Sequence, residues 1–316
     1  MAKADFRIHG SCVALPTPFR YGTVDFLALE ALCHRQIVAG TVALVPCGTT
    51  GEAPLLTTAE HRRVVEATVA AAGGRVPVIA GAGSNNTQTA VELARAAEQA
   101  GAQALLCVTP YYLKPSQAGL VAHFTAIHDA VGLPVILYDV PSRTACPMVD
   151  VTIKRLADLP RIVGLKDATG DIPRVKQLRR RLGDRFILLS GDDASQVAFR
   201  LAGGDGCISV TANVAPALCA ALHAACDRHD EAAVARLEAI LEPLHAAMFL
   251  EANPIPVKRA LHRLGLMVDG LRLPLTPLNA VADLQLADIL RTVSPLEEDE
   301  SRRAVTGHCF PRPRAA

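Results

Sequence analysis

Short apolar segments alternate with longer amphipathic segments along the chain. The apolar segments recur at intervals of roughly 20 to 35 residues, the length of a strand–helix unit. Segments this short and this apolar are typical of strands buried on both faces of a parallel sheet. The pattern predicts eight strands, at residues 12–15, 42–45, 77–80, 104–108, 135–138, 162–166, 186–189 and 206–210.

The segments between these strands have the spacing of amphipathic helices. TTAEHRRVVEATVAAA, at 57–72, begins with the Thr57–Glu60 spacing of a capping box. After residue 214 only helical patterns follow, at 215–228, 231–249, 254–265 and 277–291.

Eight strand–helix units predict an α/β fold, a (β/α)8 TIM barrel with a C-terminal helical appendage. We assign residues 1–228 to the barrel and 229–292 to the appendage. The charged, Pro- and Arg-rich residues 293–316 are expected to be a disordered tail. A doubly wound open sheet is the alternative, but no GxGxxG motif follows the first strand.

Composition narrows the possible functions. Half of the 316 residues are hydrophobic and the net charge is +1, which gives no electrostatic reason to expect a nucleic acid or an anionic membrane as a partner. No apolar run approaches the ~20 residues of a membrane span. Nine scattered cysteines without a CxxC pair, and no signal peptide, indicate reduced thiols in the cytoplasm. Scattered histidines give no metal-ligand spacing.

Lys166 ends the apolar strand at 162–166, whereas the other five lysines lie in terminal, loop or helical segments. Burial disfavours the charged form of an amine. A neutral amine can attack a ketone and form a Schiff base, which arginine cannot do. The alternative is a strand-end lysine that reaches the solvent or pairs with Asp167.

Other candidate groups follow other strands, and the carboxyl ends of barrel strands meet at one face. In PCGTTGE, at 46–52, two glycines flank Thr49 and Thr50, an arrangement whose amides and hydroxyls suit an anion. Tyr138 and Tyr112 offer phenols for proton transfer, and Arg143 offers a planar fork for a carboxylate. Each has an ordinary alternative as a turn, packing or surface residue, but their combination favours an active site.

In these segments the chain resembles the dihydrodipicolinate synthase family of class I, pyruvate-dependent aldolases. The resemblance runs from about residue 7 to about residue 292. The matching segments are PCGTTGE (46–52), VIAGAGSNNT (78–87), VTPYYLKPSQ (108–117), YDVPSRTA (138–145), GLKDATGD (164–171), LLSGDDAS (188–195), ISVTANV (208–214) and NPIPVK (253–258).

The resemblance implies a role for each candidate residue. Lys166 would form a Schiff base with pyruvate, and assembly as a homotetramer, a dimer of dimers, would bring Tyr112 in across an interface. The other roles it implies are a hydroxyl relay of Thr49, Tyr138 and Tyr112, a pyruvate carboxylate site at Thr49 and Thr50, a semialdehyde carboxylate site at Arg143, and a pyruvate pocket lined by Gly191 and Ile208.

The implied reaction condenses pyruvate with L-aspartate 4-semialdehyde to give 4-hydroxy-tetrahydrodipicolinate, in the diaminopimelate route of lysine biosynthesis. The protonated imine is the electron sink, so no metal or organic cofactor is expected. A related lyase acting on a sugar-derived 2-keto acid, such as an N-acetylneuraminate lyase or a 2-keto-3-deoxy-sugar-acid aldolase, is the alternative, although Arg143 and TPYY favour the semialdehyde. A catalytically silent barrel that binds a small carboxylate is the third interpretation.

The chain departs from the family pattern at two kinds of position. Asp139 replaces a common asparagine, and Asp167 replaces a common glutamate. Half of the positions that bind the feedback inhibitor lysine in many bacterial members are changed, which predicts weak or absent inhibition. Those positions hold Ala53, Thr58, His61, Asn85, Thr89 and Tyr111.

Overall fold

The structure is a computed structural model that describes residues 6–306. Eight strands pair in parallel in one sheet. A parallel bridge between Leu44 and Val78 joins the two outer strands, so the sheet closes into a barrel. The strands are β1 Gly10–Ala14, β4 Ala43–Val45, β5 Ile79–Gly81, β6 Ala104–Val108, β7 Val135–Asp139, β8 Ile162–Asp167, β9 Ile187–Ser190 and β10 Gly206–Ser209. Their order in the sheet is β4-β1-β10-β9-β8-β7-β6-β5.

The barrel confirms the fold predicted from the apolar pattern, and each predicted strand overlaps an observed one. The alternative of an open, doubly wound sheet is wrong, because a sheet that closes on itself has no strand edges. The sequence pattern did not predict a short antiparallel pair, β2 Phe19–Arg20 and β3 Thr23–Val24, which lies between β1 and the first helix.

Helices follow the strands and surround the barrel. Helix α2 begins at the predicted capping box, where Thr57 Oγ1 accepts from Glu60 N and Thr57 N donates to the Glu60 carboxylate. The helices are α1 Phe26–Val38, α2 Thr58–Ala72, α3 Thr87–Gln99, α4 Gln117–Ala130, α5 Pro141–Thr144, α6 Asp150–Ala157, α7 Ile172–Leu182, α8 Gln196–Leu201, α9 Pro216–Asp227, α10 Glu231–Ala247, α11 Ile255–Arg263 and α12 Ala280–Thr306.

Strand residues alternate between two apolar layers. Ile136 and Tyr138 of β7 belong to the cluster inside the barrel. Leu137 of the same strand belongs to the larger cluster between the barrel and its helices. Because side chains on a strand point to opposite faces in turn, Tyr138 faces inward and the next residue, Asp139, faces the helices.

The C-terminal helices pack against the barrel and against one another. The expected disordered tail at 293–316 is wrong for residues 293–306, because α12 continues to Thr306. Burial explains the extension: Val293 is 2% exposed, and the Glu297 carboxylate accepts from the backbone N–H groups of Ala217 and Leu218 at the start of α9. Residues 307–316 lie outside the described part of the chain.

Among residues 6–306, no helix is both long enough and apolar enough to cross a membrane. The eight cysteines in this part are free and buried. Burial raises the pKa of Cys12 and Cys107 to about 12, so these thiols stay protonated and unreactive near neutral pH.

Candidate active site

A cavity of about 270 Å³ opens at the carboxyl ends of the barrel strands. Six residues that the sequence selected line this cavity together, which confirms that their strand ends converge. They are Thr49, Thr50, Tyr138, Arg143, Lys166 and Gly191.

Lys166 is held inside the barrel, where its side chain is 6% exposed. It pairs in register with Tyr138 on β7, and its Nζ lies 4.3 Å from the centre of the Tyr138 ring. Asp167 turns the other way and lies 3.3 Å from Arg174. A lysine that reaches the solvent or pairs with Asp167 is therefore not what the structure shows.

Gly191, which follows β9, makes room for the lysine. A Cβ atom at this position would lie 3.1 Å from Lys166 Cε and 2.8 Å from Ala168 Cβ. A side chain there would push the lysine out of its position, because real Cβ contacts are rarely so short. Gly191 therefore belongs to the site through the volume it leaves free.

The residues after β4 form a tight loop, which we call the carboxylate loop and define as residues 47–52. It begins at Cys47 and ends at Glu52, both in the left-handed region with φ of 55° and 54°. Thr17 Oγ1 donates to Gly51 O at 2.7 Å. Thr50 is 2% exposed, and its Oγ1 accepts from Asn253 Nδ2 at 3.0 Å.

Arg143 lies on the short helix α5 after β7 and is exposed at the cavity rim. Its Nη2 lies 3.4 Å from the backbone oxygen of Asn253. The free remainder of the guanidinium fork suits a carboxylate that enters from the solvent.

Two predicted site residues lie away from the cavity lining. Tyr112 is 85% exposed, with φ of 72°, so one chain alone does not place its phenol at Lys166. Ile208 is 1% exposed and packs inside the barrel, and Val210, two residues later, lines the cavity instead.

The C-terminal segment contributes residues that sequence reasoning missed. Phe249 and Asn253 line the cavity. Asn253 is 6% exposed, and its Oδ1 has no hydrogen-bond partner in the described part of the chain. The segment NPIPVK, at 253–258, resembles the family, but the sequence alone assigned no function to its residues.

A group of buried charges lies behind the cavity wall, between the barrel and its helices. Arg174 of α7 donates from Nη1 to Asp139 Oδ2 and from Nε to Asp150 Oδ1, both at 3.0 Å, and Asp167 Oδ2 lies 3.3 Å from Nη1. Burial raises the pKa of Asp139 to about 6, although Arg174 opposes this shift. We call Asp139, Asp150, Asp167 and Arg174 the Arg174 cluster.

The chain is similar to known proteins along most of its length. The profile of the dihydrodipicolinate synthetase family matches residues 7–293. A curated protein of Methylobacterium radiotolerans, named 4-hydroxy-tetrahydrodipicolinate synthase, is 54% identical over 285 residues, which span 90% of this chain and 95% of the relative.

Solved structures show the same architecture. A chloride-inhibited dihydrodipicolinate synthase from Acinetobacter baumannii, complexed with pyruvate, superposes with a TM-score of 0.89 at 46% identity, covering 91% of this chain and 99% of that one. A monomeric dihydrodipicolinate synthase variant superposes with a TM-score of 0.88 at 38% identity, covering 90% and 97% of the two chains.

Proposed function

The chain belongs to the dihydrodipicolinate synthetase family, and we infer that it has 4-hydroxy-tetrahydrodipicolinate synthase activity, a lyase step of lysine biosynthesis. Its substrates are then pyruvate and L-aspartate 4-semialdehyde. The observation that carries this inference is the buried Lys166 beside Tyr138 in a cavity rimmed by Arg143. Relatives that carry this name at 54% identity favour it over a lyase for sugar-derived keto acids.

The first half of the proposed reaction forms an enamine. The Lys166 amine attacks the pyruvate ketone, and loss of water from the carbinolamine gives a protonated imine. The imine withdraws electrons, so a methyl proton of pyruvate can leave. Thr49 and Tyr138 lie in the cavity where they can pass these protons, and the carboxylate loop holds the pyruvate carboxylate.

The second half uses the aldehyde. The enamine carbon attacks the semialdehyde, whose carboxylate Arg143 binds through its free N–H groups. The amino group of the substrate then attacks the imine carbon and displaces the Lys166 amine, which closes the ring and frees the enzyme. The complete cycle therefore returns Lys166 to the free amine.

Trapping with borohydride tests the covalent step. With pyruvate and borohydride, mass spectrometry should find a reduced pyruvyl adduct on Lys166. Lys166→Ala should abolish the adduct and lower activity at least about 10³-fold, as loss of a covalent nucleophile does. Lys176→Ala, which removes an exposed lysine of α7, is the control and should behave like the parent. An unmodified parent would refute the mechanism and favour a silent carboxylate-binding barrel, and an adduct on another lysine would refute the role of Lys166.

A comparison of substrates tests the second step. The parent should consume aspartate semialdehyde with pyruvate and leave sugar-derived 2-keto acids uncleaved. Arg143→Ala should raise the KM for the semialdehyde more than the KM for pyruvate. Cleavage of a sugar keto acid at a comparable kcat/KM would support the alternative lyase.

We propose that the active form is a homotetramer in the cytoplasm, in which Tyr112 of one protomer completes the relay of its neighbour. The support is that Tyr112 does not line the cavity of its own chain and is 85% exposed. Because a monomeric variant shares the fold, the barrel alone does not dictate assembly. Sedimentation tests the state, and a monomer with full activity would contradict this proposal.

We also propose that free lysine inhibits weakly or not at all. His61, one of the family positions retained here, is 3% exposed, and its Nε2 lies 2.7 Å from Gly81 O, so the fold already engages this ring. Initial rates should change little with millimolar lysine. Strong inhibition below millimolar lysine would contradict the proposal.

A further inference from the structure

The Glu52 carboxylate and the Lys258 ammonium form a completely enclosed ion pair. Lys258 Nζ lies 2.5 Å from Glu52 Oε1, and both side chains have no exposed surface. The ammonium also lies 4.3 Å from the centre of the Phe19 ring. Burial lowers the pKa of Lys258, and Glu52 opposes that shift, so the carboxylate favours the charged amine.

The pair joins two distant parts of the chain. Glu52 is the last residue of the carboxylate loop, and Lys258 lies on α11, 206 positions later. Glu52 Oε2 accepts from the backbone N–H of Arg272 at 3.2 Å, so residues after β10 hold both carboxylate oxygens. Glu52 adopts a left-handed backbone conformation, which a non-glycine residue keeps only when its surroundings fix it.

A second contact reaches the same loop from the same segment. Asn253, which precedes α11, donates from Nδ2 to Thr50 Oγ1 at 3.0 Å. The C-terminal segment therefore fixes the loop at Thr50 through a hydroxyl and at Glu52 through a charge. Thr49 and Thr50, which line the cavity, lie three and two positions before Glu52 in the same loop.

We propose that Glu52 and Lys258 are positioning residues that set the affinity of the carboxylate loop for the carboxylate of pyruvate. The inference rests on the proposed function, because it takes Thr49 and Thr50 as the groups that hold that carboxylate. Neither Glu52 nor Lys258 lines the cavity. They act through the backbone of the loop, whose amides must point at the anion.

Stability alone gives a weak reason for such a pair. Replacing both members of a buried ion pair by neutral residues of similar volume is often neutral or stabilising, whereas removing one member is costly. The double variant Glu52→Gln/Lys258→Met follows this logic. It removes both charges, roughly keeps both volumes, and leaves an amide oxygen for the Arg272 N–H.

The experiment measures pyruvate binding separately from the complete reaction. The readout is the pyruvate concentration that gives half-maximal borohydride trapping on Lys166. In the double variant it should rise about ten-fold, the effect of losing one well-aligned charge-assisted hydrogen bond. The KM for the semialdehyde should stay within about two-fold of the parent, because Arg143 and its site are unchanged.

A matched ion pair at the opposite end of the barrel supplies the control. Arg179 Nη2 lies 2.6 Å from Asp205 Oδ2, which also accepts from the backbone N–H of Leu188, as Glu52 does from Arg272. Asp205 immediately precedes β10, whereas the cavity lies at the other ends of the strands. Arg179→Met/Asp205→Asn should leave half-maximal trapping at the concentration of the parent.

A second variant covers the case in which the double variant does not fold. Glu52→Asp retains both charges but shortens the connection to the loop by one methylene group, and it should raise half-maximal trapping about three-fold or more. A folded Glu52 variant that traps pyruvate at the parental concentration overturns the inference, and so does an equal shift in the control pair. Absence of any adduct in the parent would instead show that the proposed function is wrong.

Discussion

Two groups of buried charges adjoin the cavity, and they are balanced differently. In the first, one carboxylate meets one ammonium, Glu52 with Lys258, and neither side chain is exposed. In the second, the Arg174 cluster, one guanidinium faces three carboxylates, of which Asp139 has no exposed surface. The first joins the carboxylate loop to the C-terminal helices, and the second lies behind Tyr138 and Lys166.

The difference lies in how burial acts on each group. In the balanced pair, burial lowers the pKa of Lys258, and the Glu52 carboxylate opposes that shift. In the Arg174 cluster, Asp150 also pairs with Arg181 at 3.6 Å, whereas the more deeply buried Asp139 and Asp167 share Arg174. Burial penalises the ionised form of Asp139, whose pKa rises to about 6.

The largest expected effect comes from unbalancing the neutral pair. Glu52→Gln leaves the Lys258 ammonium buried without its counter-charge, which should cost about 3–5 kcal/mol in the free energy of unfolding. Urea denaturation at pH 7.5 measures this cost. The double variant Glu52→Gln/Lys258→Met should recover most of it, because it removes the buried charge. A single variant as stable as the parent would mean that water or another group compensates Lys258.

A smaller effect, which depends on pH, is expected in the Arg174 cluster. The folded state holds the Asp139 proton up to about pH 6, whereas the carboxyl has a reference pKa of 3.8. Between these values the folded state binds more protons than the unfolded state, so the stability of the parent falls as pH rises. Asp139→Asn lacks this titration, and Asn can still accept from Arg174.

The free energy of unfolding of Asp139→Asn should therefore increase relative to that of the parent as pH rises from 4 to 7. This change should reach up to about 3 kcal/mol, because the pKa of Asp139 is roughly two units higher in the folded state than in the unfolded state. Urea denaturation across this range measures it. The control is Asp158→Asn, at a carboxylate that is 72% exposed, and it should show no comparable trend. If Asp139→Asn differs from the parent by the same free energy of unfolding at pH 4 and at pH 7, the raised pKa of Asp139 is refuted.

The sequence predicted the residues of the cavity better than the buried charges beside it. Alternating apolar segments predicted the strand ends, because one period governs each strand and its buried face. Lys166 was identified because a lysine that ends an apolar strand is chemically unusual. The same pattern placed Thr49 after β4, and Tyr138 and Arg143 at or after the end of β7, and the cavity confirms that these strand ends converge.

Contacts between distant segments were not predictable in this way. Nothing local to GTTGE or NPIPVK indicates that Glu52 and Lys258 meet across 206 positions. The prediction of a disordered tail was wrong for the same reason. The Glu297 carboxylate stabilises α12 by accepting from backbone N–H groups at the start of α9, about 80 residues earlier. Side-chain partners of this kind depend on how the helices pack, and a single sequence shows only the periodicity within each segment.

The smallest expected effect is at an exposed pair, and it tests whether burial explains the comparison. Arg62 and Glu66 lie one turn apart on α2 with 3.4 Å between Nε and Oε1, and both side chains are about half exposed. Glu66→Gln should change the free energy of unfolding by about 0.5 kcal/mol or less, because water solvates both partners once they separate. Glu66→Gln and Glu52→Gln make the same chemical change, so their ratio in urea denaturation isolates the contribution of burial. A cost at Glu66 close to that at Glu52 would mean that charge removal itself, and not enclosure, governs both results.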